Sequence, residues 1–117
     1  MSRTLHLRLS AREDALDRFE AAWHLATGRA APRALSVLSF ADLPRLLAEL
    51  SPARWRLLAR LRAEGPLSVL ALARRLGRDY KNVHGDVRRL AELGLVARGA
   101  DGRVSVPWDA VRAELRL

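Results

Sequence analysis

The sequence predicts an α+β chain: a strand-helix-strand region with a short further helix over residues 1–50, then three short helices, a β-hairpin and a closing strand over 51–117. Three observations carry that expectation. The hydrophobic period changes from two residues to about 3.6 after Leu9. Ser51-Pro52 marks a fresh helix start in mid-chain, because serine caps a helix and proline, lacking an amide hydrogen, suits its first position. Glycines at 65, 77, 99 and 102 then divide the remainder into helix, helix, helix and hairpin.

Taken in order, Thr4 to Leu9 alternates, with Leu5, Leu7 and Leu9 on one face and Thr4, His6 and Arg8 on the other, as a half-buried strand does. Ser10-Ala11-Arg12-Glu13 fits a capping box. Leu16, Phe19, Trp23 and Ala26 follow at helical spacing until Gly28, giving an amphipathic helix that needs a partner surface. Residues 34–40 read as a second strand and Asp42 to Leu50 as a short helix. From Ser51 a helix runs with Trp55, Leu58 and Leu61 on its inner face and ends at Gly65-Pro66. Ser68 caps a helix from Val69 to Leu76 that stops at Gly77. Asp79 caps one running to Leu93, its carboxylate favoured by the positive end of the helix dipole. Leu95 to Arg98 and Arg103 to Val106 flank Gly99-Ala100-Asp101-Gly102, whose glycines permit the positive φ of a hairpin turn. Val111 to Leu117 alternates again and reads as a closing strand, able to form a sheet with the first two within one chain or between subunits.

Half of the 117 residues are apolar, enough for a real core. No apolar run approaches the ~20 residues that span a bilayer, and no secretory signal opens the chain, so a cytoplasmic protein without membrane contact is expected. Without cysteine there are no disulfides, thiolate nucleophiles or Cys-rich zinc sites, and His6, His24 and His84 have no ligand spacing. No cofactor or metal is expected, and no nucleophile, base and orienting group assemble into an enzyme site. The net charge of +8 is uneven: residues 1–50 carry seven arginines against six acids, whereas 51–117 carry fourteen Lys+Arg against seven. Such a basic module points to a polyanionic partner, nucleic acid before an acidic membrane surface.

Helix, helix, turn, helix, hairpin is the order of a winged helix-turn-helix, with Ala73 where two helices cross, Gly77 in the turn and Val83 as apolar anchor. The segments Gly65-Pro66-Leu67-Ser68-Val69, Leu76-Gly77-Arg78-Asp79-Tyr80-Lys81-Asn82-Val83-His84, Leu93-Gly94-Leu95-Val96 and Val106-Pro107-Trp108-Asp109 resemble small MarR-like winged-helix proteins of bacteria and archaea, over almost the whole chain. The resemblance implies a DNA-binding transcriptional regulator. It further implies a repressor, and an antitoxin of a toxin-antitoxin operon with a toxin protein as partner.

The only tyrosine, lysine and asparagine of the chain stand together in Tyr80-Lys81-Asn82. With Val83, Val87 and Leu90 facing the core, a rotation of ~100° per residue puts Lys81, His84, Gly85 and Arg88 on the opposite face, flanked by Asn82 and Arg89. Tyr80 either sets its hydroxyl on a phosphate or packs at the core edge. Lysine and arginine can donate to guanine and asparagine can bind adenine, so Tyr80, Lys81, Asn82, His84, Arg88 and Arg89 are the candidate double-stranded DNA contacts on the helix. Ser68, Arg78, Arg98 and Arg103 are candidates for the DNA backbone. Gly85 either admits a close backbone approach or weakens contact; the resemblance implies a basic residue there. A homodimer through residues 1–50 is expected, with Leu5, Leu7, Leu16, Phe19 and Trp23 as interface candidates. The alternative is a winged-helix protein-interaction module without specific DNA binding.

Overall fold

The computed structural model describes residues 3–9, 37–40 and 42–113. Among these the architecture is mixed α+β, in the order β1 (Thr4–Leu9), β2 (Val37–Phe40), α1 (Leu43–Glu49), α2 (Pro52–Glu64), α3 (Val69–Leu76), α4 (Tyr80–Glu92), β3 (Ala97–Arg98), β4 (Val104–Ser105) and β5 (Ala110–Ala113). The helix expected from Ser10 to Gly28, with Leu16, Phe19 and Trp23, lies outside the described residues, as do 34–36 and 114–117.

Two compact units divide the chain. One spans Glu49–Trp108; the other takes the N-terminal segment up to Ala48 together with the segment from Asp109 on. In the latter, β1 is the central strand of a parallel sheet of order β2-β1-β5, with His6 opposite Val37 on one side and Thr4 opposite Ala110 on the other. The sheet therefore forms within one chain. Leu5 and Leu7 are buried, as their alternation requires. Asp109 ties the entry of β5 to that of β1, accepting from the Arg3 amide at 2.7 Å and donating its own amide to the Arg3 carbonyl at 2.8 Å.

In the Glu49–Trp108 unit each helix starts as its capping residue dictates. The side chains of Ser51, Ser68 and Asp79 accept from the amides of Arg54, Ala71 and Asn82 at 3.3, 3.1 and 3.3 Å. Gly77 ends α3 in the left-handed region at φ 63°, where its amide and that of Arg78 close on the carbonyls of Arg74 and Ala73. The core joins Leu57, Leu58 and Leu61 of α2, Leu72 and Ala73 of α3, and Val83, Val87 and Leu90 of α4 to Leu95, Val96 and Val104. Trp55 is not on the inner face of α2 as expected: it is 41% exposed, while Leu57 is 0% exposed. Leu57, Leu61 and Leu58 lie within ~100° of one another around the axis, and Trp55 falls ~60° outside that arc.

The hairpin pairs Ala97 with Ser105 and Arg98 with Val104, around a turn closed by Gly99 donating to the Arg103 carbonyl at 2.8 Å, with Gly102 at φ 82°. β4 also bridges Leu67, between α2 and α3, through amide-carbonyl bonds of 3.0 and 2.8 Å. The Trp108 indole donates to the Gly94 carbonyl at 2.9 Å and so ties the segment after the hairpin to the end of α4.

Candidate functional site

The geometry of α4 divides its residues into three strips. Val83, Val87 and Leu90 are fully buried. Lys81, Asn82, Gly85 and Arg88 are exposed. Arg88 is 74% exposed, with only a loose 3.7 Å contact to Glu92 one turn on. Tyr80 is 46% exposed rather than packed at the core edge, and its ring leans on that of His84 with centroids 5.8 Å apart and planes tilted by 40°. At this separation the two rings hold each other beside Lys81. An added Cβ at Gly85 would meet nothing within 4 Å, so the outward strip is bare of side chain at its middle.

The remaining strip, Asp86 and Arg89, is occupied by ion pairs. Arg89 donates from Nε and Nη2 to the two oxygens of Glu49 at 2.8 and 2.6 Å, and from Nη1 to Glu92 at 3.1 Å. The Arg89 hydrogen bonds, reinforced by the charges of Arg89 and Arg54, hold the Glu49 carboxyl at about 2 against an ordinary 4.5. The same bonds push the Arg89 guanidinium above its usual range. Arg89, expected among the outward contacts, is thus committed to a carboxylate within the fold. Arg78 is likewise committed, donating from Nη2 to Asp86 at 2.8 Å. Ser68 uses its oxygen as the α3 cap but remains exposed.

On the hairpin, Arg98 and Arg103 are exposed and sit beside the Arg98–Val104 pair. Arg103 has a long 3.9 Å contact to Asp101. The outward strip of α4 and the hairpin therefore present Lys81, Arg88, Arg98 and Arg103 with little internal neutralisation. What the sequence did not reveal is the role of Glu49, Arg54 and Asp86, since their pairing depends on segments that are distant along the chain. Among the described residues no group of three or more His, Cys, Asp or Glu side chains is placed to hold a metal ion, and no helix is long and apolar enough to cross a membrane.

No curated protein matches the chain. The sequence profile of the HVO_A0114 family matches residues 49–113, which begins at the first residue of the helical unit and runs to the end of β5. That match covers more than half of the 117 residues, and the chain belongs to the HVO_A0114 family.

Proposed function

We propose that residues 49–108 are a winged helix-turn-helix and that the protein is a sequence-specific DNA-binding regulator of transcription, acting as a repressor. The observation that carries this reading is α4: it buries Val83, Val87 and Leu90 completely while exposing Lys81, Asn82 and Arg88. A helix of ~10–12 Å diameter fits the major groove, and these residue types can read guanine and adenine there. The left-handed glycine turn before α4 and the basic hairpin after it support the same reading. Lys81, Asn82 and Arg88 read bases, with Tyr80 and His84 at their edge; Arg98 and Arg103 hold the backbone. Two copies related by a two-fold axis place two such helices about 34 Å apart, one turn of DNA. An antitoxin role, with a toxin as partner, rests on the resemblance alone.

The test is selection from a random duplex library with the full-length protein, followed by anisotropy titration across a salt series. An enriched motif with affinity falling steeply in salt supports the reading. Arg88→Ala and Lys81→Ala then weaken binding without lowering the thermal midpoint, and a base-reading side chain relaxes one position by ~1–3 kcal/mol. A protein that enriches nothing and binds no duplex at low salt is a protein-interaction module instead.

A further inference from the structure

The ion pairs on the inner flank of α4 form one connected chain. Asp86 accepts from Arg78 Nη2 at 2.8 Å and from Arg54 Nε at 3.0 Å. Arg54 continues from Nη1 to the Glu49 carbonyl at 2.8 Å and its carboxylate at 3.1 Å. Glu49 takes the two-pronged contact from Arg89, which ends on Glu92. The two central carboxylates are largely covered, with side chains 12% and 17% exposed. Solvation lost at such positions is recovered only through well-aligned partners, so the geometry is strongly constrained.

Asp86 and Arg89 stand three residues apart on one flank of α4. Their partners come from the residue that opens the unit, the first turn of α2 and the turn before α4. The apolar contacts of Val83, Val87 and Leu90 hold α4 against the core, yet hydrophobic contact is non-directional and resists rolling weakly. Directional bonds at two heights along the axis resist it. A roll of about 20° moves a side-chain tip about 6 Å from the axis by about 2 Å. That exceeds the tolerance of a hydrogen bond to a base edge.

Resting on the DNA-binding reading, we propose that Glu49 and Asp86 are positioning residues: they do not touch DNA, and they set the sequence preference of α4 by fixing its roll against α2. The pairing also removes Arg54, Arg78 and Arg89 from the cations that reach phosphate.

The experiment uses full-length protein and two probes: the duplex selected by the wild type, and a scrambled duplex of equal length. Glu49→Gln lowers affinity for the selected duplex roughly tenfold and changes affinity for the scrambled one by less than about twofold, so the ratio between them falls. Glu49→Asp, which keeps a carboxylate facing Arg54 and Arg89, restores part of that ratio, whereas a loss of stability alone lowers both affinities together and leaves the ratio unchanged. Asp86→Asn is measured in the same way and carries the test should Glu49→Gln fail to fold. Equal losses on both probes, or an unchanged ratio in a folded variant, overturn the positioning role. A wild type that selects no duplex overturns the DNA-binding reading itself, and the positioning role with it.

Discussion

Gly85 and Gly65 carry the same side chain and have opposite tolerances. A Cβ at Gly85 meets open space, so Gly85→Ala should raise stability by about 0.5–1 kcal/mol, as helix propensity dictates; urea denaturation measures it, and a loss would show that this position is crowded. Gly85→Arg should add a cation to the outward strip and steepen the salt dependence of DNA binding by about 0.9 per new phosphate contact. At Gly65 a Cβ would lie 2.5 Å from the Leu61 carbonyl oxygen, and Gly65→Ala should lower the thermal midpoint even though the residue closes a helix. Glu49 gives a pH prediction with a definite sign. Its carboxyl sits at about 2 in the fold against 4.5 ordinarily, so its stabilisation is complete above the ordinary value and disappears as pH falls toward 2. Stability followed by denaturation between pH 5 and pH 2 should fall, and Glu49→Gln should flatten part of that fall. The exposure of Lys81 and Arg88 was legible because rotation about one helix fixes it. The commitment of Arg89 was not, because its partner is forty residues away in the chain.

Helix starts were the most legible elements, since a cap is a contact over three residues that the local sequence specifies completely. Ser68 shows the use of this: its oxygen holds the Ala71 amide at 3.1 Å, and Ser68→Ala should cost about 1 kcal/mol. Ser68→Asp, which keeps the cap and adds a negative charge, should retain stability and reduce DNA affinity if this position lies near a phosphate; an unchanged affinity would confine Ser68 to capping. The inner face of α2 was less legible, because Trp55 and Leu57 are both apolar and only the packing of the other helices decides between them. Leu57→Ala should accordingly cost about 2–5 kcal/mol by calorimetry, well above the cost of Trp55→Ala. The bridge between Leu67 and β4 left no trace in the sequence, since one residue pair has no periodicity to display.

The whole chain is arranged as an insertion: residues 49–108 stand between two strands of one parallel sheet, β2 before them and β5 after. Ser51-Pro52 marked the start of this unit to within two residues because it is a local signal. The closing strand, read as able to join the first two in one sheet, pairs with β1 over Ala110–Ala113, a register that no local feature of Val111 to Leu117 encodes. The natural fragment is therefore 49–108, which keeps Glu49 and has no strand left without its neighbour; it should show a cooperative helical melt by circular dichroism. Residues 51–117 lack both Glu49 and the partner of β5, and should melt lower. The return of β5 to β1 has a further meaning for a protein that proteases can reach. A single cut between Leu50 and Ser51 severs the backbone but leaves the two pieces sharing a sheet, joined through Thr4–Ala110 to Leu7–Ala113. The nicked protein should elute from a sizing column as an uncut chain does and come apart only in denaturant, so that the two halves, made separately, behave as complementing fragments that reassemble on mixing.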